Sequence, residues 1–365
     1  MRDRILLLLE HRGNRRLLAE WLKEGYDPIE GEGEAALSQP FDLCIVDGMA
    51  LARMLGTIRS RKEAEQGVFL PVLAATSHHE RGTGLRKITE SVDELIGVPI
   101  EKAELAARVA MLLRARRFSL QNFALRRALE ADLANAARVQ AALLPDRPPS
   151  LHGFELAARC VPAREVGGDF YDWDIPSSDL LTFTLGDVCG KGMPAALLMA
   201  TIRATLRAVS RQNGPAEALN LAQRALSVDF ERSGRFVTLF HAQLDLSRRR
   251  LRYADAGHGH VFMRREDGSI EELDSRGVPL GAFFDQDYQE ATMEFRPGDT
   301  LVVYSDGLIE VQGDRDAAEI RDRGQAELRQ ALDIEAVLGR LIGAARDAPS
   351  LPDDVTLMML RCIGA

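Results

Sequence analysis

The sequence has few cysteines, few aromatic residues and no long apolar run. Four cysteines are scattered over 365 residues. None has a close partner that would suggest a zinc knuckle, a redox dithiol or a disulfide framework, so a reducing compartment is expected. The apolar run Ile5 to Leu9 near the start is too short for a signal core or a membrane span. These absences predict a cytoplasmic protein with no membrane partner.

The chain also lacks an excess of basic residues. It has 46 Lys and Arg against 55 Asp and Glu, a net charge of −9, which disfavours a general nucleic-acid-binding protein. The hydrophobic fraction of 46% excludes a disordered chain, and the length predicts two or three domains. Residues 1–117 are neutral, 118–145 carry +1 and 146–365 carry −10. All of the excess acid therefore lies in the C-terminal part.

Residues 1–117 alternate short apolar runs with amphipathic stretches. The runs RILLLLE, FDLCIVDG, LPVLAAT and VDELIGVP are candidate strands. This alternation is typical of a doubly wound α/β domain with a parallel sheet.

A segment without glycine or proline follows, from Phe118 to Leu143. A heptad pattern fits it, with six of eight core positions apolar and Asn122 as a polar core position. The pattern predicts a helical linker over 118–145. One interpretation is a coiled coil that forms a homodimer through 118–143; the other is a single amphipathic helix packed on a neighbouring domain.

Residues 146–365 are rich in strand-like segments separated by turn signals. Helices are predicted from Pro194, from Pro215 and over about 325–346. This grouping predicts an α+β domain with antiparallel sheets.

Four aspartates in this domain lie at or beside predicted strand ends, next to turn residues: Asp169, Asp187, Asp306 and Asp353. Any one of them alone is more often a turn or cap residue. If they converge, their mutual repulsion requires a cation. An all-carboxylate set favours Mg²⁺ or Mn²⁺ over zinc, because zinc prefers histidine and cysteine.

Seven motifs in order carry a family resemblance: EVGGDFYD, GDVCGKGMPAALLMA, RFVTLFHAQLD, YADAGHGH, GVPLG, VYSDGLIE and DDVTL. Over about 145–362 the chain resembles the PPM metal-dependent protein phosphatases of the SpoIIE and RsbU type. The resemblance implies a β-sandwich flanked by helices and a site for two Mn²⁺ or Mg²⁺ ions. Asp187 would bridge both ions, with the Val188 carbonyl completing one shell. Asp169 would bind one ion, and Asp306 and Asp353 the other.

The resemblance also implies the reaction and its substrate. The ions would activate a water that attacks phosphoserine or phosphothreonine. The usual substrate in this branch is an anti-anti-sigma (STAS) protein of a partner-switching pathway.

Side chains near the acidic motifs are secondary candidates. Arg164 is a candidate phosphate clamp, although a plain surface arginine fits as well, and Lys191 is a weaker choice. His258 is interpreted as a structural turn residue, and Asp354 as a capping neighbour of Asp353.

The N-terminal domain resembles a response-regulator receiver. Asp47 matches the phospho-acceptor and Thr76 the hydroxyl that senses the phosphate, but Val98 replaces the lysine and Glu10–His11 supplies one carboxylate. One interpretation is phosphorylation of Asp47 by an upstream histidine kinase or another signalling protein. The other is a degenerate receiver that acts through protein contacts.

The sequence as a whole predicts a metal-dependent serine/threonine phosphatase controlled by a receiver-like domain. The alternative is a catalytically inactive adaptor that binds a phosphoprotein or its kinase.

Overall fold

The computed structural model describes residues 2–76, 91–273, 277–312, 333–348 and 350–364, without the side chains of residues 312 and 344. The chain divides into two compact units, residues 1–131 and residues 132–365.

The first unit is built on a five-stranded sheet in which every pairing is parallel. Its strands are β1 (Arg4–Leu8), β2 (Asp27–Glu30), β3 (Leu43–Asp47), β4 (Val72–Thr76) and β5 (Glu94–Gly97). The strand order β2-β1-β3-β4-β5 is that of flavodoxin-like doubly wound sheets.

Helices bury both faces of this sheet. They are α1 (Arg12–Leu22), a 3₁₀ turn (Glu34–Ser38), α2 (Gly48–Glu63) and α3 (Lys102–Leu143). Helix α1 and the first turns of α3 pack with Ile5 and Leu7 of β1, whereas α2 packs with Leu6 and Leu8. Burial on both faces explains why β1 reads as a continuous apolar run rather than as an alternating one.

Helix α3 is one unbroken helix of 42 residues, about 63 Å long at 1.5 Å per residue. Its buried side chains all lie between Leu105 and Arg116. Further along, Leu125 and Leu129 are 69% and 58% exposed. Within the described ranges, no helix combines the length and apolar character needed to cross a membrane.

The second unit contains two antiparallel five-stranded sheets, in the orders β13-β10-β9-β8-β7 and β12-β11-β14-β15-β6. The strands are β6 (Phe154–Val161), β7 (Phe170–Ser177), β8 (Leu180–Val188), β9 (Val237–Asp245), β10 (Arg250–Ala256), β11 (Val261–Arg264), β12 (Ile270–Glu272), β13 (Ala291–Glu294), β14 (Thr300–Tyr304) and β15 (Val355–Cys362). A shared core that includes Phe183, Phe240, Met263 and Leu360 lies between the sheets.

Helices cover the outer faces of this sandwich. Helices α4 (Met193–Val209) and α5 (Pro215–Ser233) pack on the first sheet, and α6 (Gly307–Gln312) and α7 (Ile334–Asp347) on the second. The prediction of mixed sheets and helices is confirmed for this unit. Residues 313–332, which include the start of the predicted 325–346 helix, lie outside the described residues.

Candidate metal and phosphate site

The four predicted aspartates come from both sheets of the sandwich. Asp187 is the next-to-last residue of β8, and Asp169 immediately precedes β7. Asp306 follows β14, and Asp353 precedes β15. Asp187, Asp306 and Asp353 line one cavity of about 310 Å³, which we call the acidic cavity. Its other lining residues are Cys189, Gly190, Phe236, Thr238, Gly257, His258 and His260.

Asp169 does not line the acidic cavity but lies buried beside Asp187. It is 3% exposed, and its Oδ2 has no hydrogen-bond partner among the described residues. Burial first, and then the charges of Asp187 and Asp354, hold the pKa of Asp169 well above its ordinary value. Burial and the charge of Asp306 raise the pKa of Asp187 to about 6. The chain therefore concentrates more negative charge here than its own groups neutralise.

Asp354 is buried, and its carboxylate accepts hydrogen bonds from the backbone between β6 and β7. Its Oδ1 accepts the N–H of Ala163 at 2.7 Å, and its Oδ2 accepts the N–H groups of Gly168 at 2.6 Å and Asp169 at 3.4 Å. These bonds tie the loop before β7 to the start of β15, which fixes the position of Asp169. Of the two adjacent aspartates, only Asp353 lines the acidic cavity.

Two glycines allow the backbone to approach closely at this edge. A Cβ on Gly168 would lie 2.7 Å from the Val188 carbonyl oxygen, and a Cβ on Gly307 would overlap the Asp354 carbonyl oxygen. Both contacts leave no room for a side chain. Steric crowding therefore explains the glycine at position 168 in the EVGGD motif and at position 307 in the SDG motif.

Lys191 and Arg235 are cationic side chains that contact residues lining the acidic cavity. The Lys191 ammonium lies 2.8 Å from Asp353 Oδ2 and also donates to the Pro352 carbonyl. Arg235 donates to the Cys189 carbonyl. Arg164 is exposed beside Gly192 and does not line the cavity. Arg235 carries no local sequence signal for this site, because only the fold brings it to the loop after β8.

His258 lines the cavity as a buried, neutral ring. Burial and the neighbouring His260 lower its pKa to about 3. Its backbone N–H and that of Gly259 donate to the Asp255 carboxylate at 2.8 and 3.1 Å. Asp255 therefore stabilises the turn that carries His258.

The donor chemistry of the site fits a hard divalent cation. The donors are carboxylate oxygens, one of them buried without a partner, and a Val188 carbonyl close by. Within the described part of the chain, however, no three His, Cys, Asp or Glu side chains are gathered at a single metal-binding point. The ligand types are therefore present, but the side chains are not assembled as a closed cage.

The residues that the sequence predicts to be receiver-like lie at or near the carboxyl ends of the strands of the first unit. Asp47 ends β3 and caps α2, and Thr76 ends β4 with its hydroxyl buried and unpartnered among the described residues. Glu10 pairs with Arg53 at 2.7 Å rather than facing Asp47 with its carboxylate. Val98 follows β5 directly and is exposed.

The second unit is a PPM-phosphatase-like domain: two stacked antiparallel sheets with helices outside and aspartates at one edge. Solved structures share this architecture. The RsbU and RsbW domains of Rv1364c from Mycobacterium tuberculosis match at a TM-score of 0.51 and 27% identity, over 60% of this chain and 62% of that chain. The SiaA PP2C domain of Pseudomonas aeruginosa matches at a TM-score of 0.55 and 24% identity, over 65% of this chain and 98% of that chain.

The family follows from the sequence match. The model of the family described as stage II sporulation protein E (SpoIIE) matches residues 177–363, and the chain belongs to this family. A curated relative, phosphoserine phosphatase RsbU of Bacillus subtilis, is 29% identical over 184 residues, or 50% of this chain. The match covers 54% of RsbU, so the chain spans about half the length of that relative.

Proposed function

We propose that this chain is a metal-dependent serine/threonine protein phosphatase. The observation that carries the proposal is that Asp187, Asp306 and Asp353 line one cavity and that Asp169 lies buried beside Asp187. The pKa values of Asp169 and Asp187 are raised. Such a site is electrostatically incomplete without cations. We propose Mn²⁺ or Mg²⁺, two ions in the arrangement implied by the family resemblance.

Each residue has a proposed part in the reaction. Asp187, the Val188 carbonyl, Asp306, Asp353 and Asp169 would hold the ions. When bound, such ions lower the pKa of the attacking water and offset negative charge on the phosphoryl group. Lys191 and Arg235 contact residues that line the acidic cavity and would attract the phosphate as it enters. Exposed Arg164 is a further candidate for the same role. His258 stays neutral and adds no positive charge of its own to the cavity.

Phosphate release from p-nitrophenyl phosphate, with and without Mn²⁺, tests the reaction. Asp187→Asn and Asp306→Asn are expected to reduce turnover about a hundredfold or more. Asp179→Asn is a matched control, since Asp179 precedes the opposite end of β8 in an exposed turn. Activity retained in both site variants would reject the mechanism. Binding of a phosphoprotein without any turnover in the unmodified chain would favour the adaptor alternative.

For the substrate we propose a phosphorylated STAS-type protein in a partner-switching pathway. The support is the similarity to RsbU, which is named a phosphoserine phosphatase, and to a chain that contains RsbU and RsbW domains. Candidate phospho-STAS proteins from the same genome can be compared with phosphoserine peptides cut from them. Faster dephosphorylation of one folded protein than of its peptide supports the proposal, and equal rates contradict it.

We further propose that the first unit controls the phosphatase through α3, and that α3 pairs with a second copy of the chain. The exposed Leu125 and Leu129 occupy core positions of the heptad pattern, which leaves an apolar stripe in water unless it is covered. Phosphorylation of Asp47 remains a prediction. Acetyl phosphate followed by phosphate-affinity electrophoresis, with Asp47→Asn as the control, tests it.

A further inference from the structure

A second cavity lies in the first unit, at the carboxyl end of its parallel sheet. We call it the apolar cavity. It measures about 300 Å³ and is lined by Leu9, Asn14, Leu17, Leu18, Trp21, Asp47, Ala75, Val98, Pro99 and Ile100. Doubly wound sheets bind their ligands outside the carboxyl ends of the strands. The volume is at the lower end of the range of small-molecule sites.

The lining of this cavity is predominantly apolar. Eight of its ten residues are hydrophobic or proline, and two of them, Leu17 and Val98, are 49% and 46% exposed. Apolar side chains that remain in water around a concave surface favour the binding of an apolar group. Trp21 adds an aromatic ring to the wall, which favours a flat or cationic ligand.

Asp47 is the one charged residue among those that line the apolar cavity. Its Oδ1 accepts the N–H of Ala50 at 2.8 Å, and its Oδ2 accepts the N–H of Glu10 at 2.7 Å. These bonds hold the carboxylate in place between the end of β1 and the start of α2. Each oxygen keeps a further lone pair available for a ligand.

The negative charge of Asp47 favours cationic over anionic ligands in the apolar cavity. Val98 stands where a receiver has its lysine, and none of the lining residues is Lys or Arg. The nearby Arg53 is paired with Glu10. Among the described residues of the cavity wall, an anionic ligand would therefore meet a carboxylate and no compensating cation. A cationic ligand would gain an ion pair inside a largely apolar site.

We propose that the apolar cavity binds a small molecule with an apolar body and a protonated amine, the amine pairing with Asp47. The proposal concerns the first unit alone and does not rest on the phosphatase activity. The receiver-like sheet would then bind small amines at the position where a receiver carries its phosphoryl group.

Titration of the full chain with two matched probes tests this proposal. 4-Phenylbutylamine and 4-phenylbutyrate have the same apolar body and opposite charges, and ligand-observed NMR reports their affinity. The amine is expected to bind at least about tenfold more tightly than the acid. Asp47→Asn, which keeps a good helix-capping residue, is expected to remove that preference.

A second variant examines the cavity wall. Val98→Lys introduces a cation near Asp47 and is expected to abolish binding of the amine. Met111→Lys makes the same change at an exposed apolar residue outside the cavity and is expected to leave binding unchanged. Equal affinity for both probes, no binding of the amine at millimolar concentration, or unchanged binding in Asp47→Asn would overturn the proposal. Thermal melting of each variant confirms that it is folded, and if Val98→Lys does not fold, Asp47→Asn decides.

Discussion

The buried His241 is expected to make the stability of the phosphatase-like unit depend on pH. Its ring lies on β9 and joins that strand to its surroundings by two hydrogen bonds, to Thr184 on β8 at 2.6 Å and to Ser210 after α4 at 2.9 Å. The Ser210 hydroxyl donates its proton to the Leu206 carbonyl, so its oxygen accepts from His241 Nε2–H. Nδ1 then accepts from the Thr184 hydroxyl, and the ring is neutral.

The magnitude follows from the pKa of this ring. Burial lowers the pKa of His241 from 6.5 to about 4, so the unfolded chain takes up a proton at a higher pH than the folded chain does. The stabilisation is complete above about pH 6.5 and is lost as the pH falls toward 4. The pKa of His241 is therefore about 2.5 lower in the folded chain than in the unfolded chain, which corresponds to ~3 kcal/mol in the free energy of unfolding.

The assay is urea denaturation between pH 4 and 8, with metal-free buffers for both the natural chain and His241→Gln. The variant has no ring to protonate, and the other titrating groups are common to both chains. The free energy of unfolding of the natural chain is expected to fall by up to ~3 kcal/mol relative to the variant between pH 6.5 and 4. A difference between the two chains that stays constant across this range would refute the reasoning.

Three other perturbations have definite expected outcomes. Lys191→Met removes the ammonium that pairs with Asp353. The variant is expected to bind Mn²⁺ a few-fold more tightly in calorimetry, and unchanged affinity would mean that the ammonium and Mn²⁺ do not compete. Leu125→Glu combined with Leu129→Glu is expected to convert a dimer to a monomer by light scattering; an unmodified chain that is already monomeric contradicts the pairing of α3. Gly307→Ala would overlap the Asp354 carbonyl and is expected to lower the free energy of unfolding by about 1–3 kcal/mol in urea titrations. The same change at Gly343, where no described atom lies near the added Cβ, is expected to be neutral or stabilising.

Local patterns were sufficient to predict much of the phosphatase-like unit. The helices at Pro194 and Pro215 were predicted within one residue of their observed starts, because proline and an apolar stripe are both local signals. Short strands are harder to predict from local patterns. Strand β2, an edge strand of four residues that contains Pro28, is not predicted by the local pattern. Its backbone pairs on one side only, so it tolerates a proline that normally argues against a strand.

For the candidate site, too, local patterns predict some features and not others. Its aspartates could be identified from strand ends and turn residues. Asp353, preferred over Asp354 as the metal ligand, lines the acidic cavity, and its role as a ligand stays a prediction. The pairing of Lys191 with Asp353, and the contact of Arg235 with the loop after β8, could not be predicted. Each joins residues far apart in the sequence, so no local pattern reports the contact.

The sequence by itself determined which segments form strands and helices, and it placed carboxylates where strands end. Those properties depend on the side-chain period and on the backbone preferences of neighbouring residues. Only the tertiary structure decided which carboxylates share a cavity and which cations approach them. The tertiary structure also decided which carboxylate has a buried oxygen without a partner among the described residues. It also decided that Asp47 faces an apolar cavity. Distance and burial set these interactions, and both arise only when separate strands are brought together.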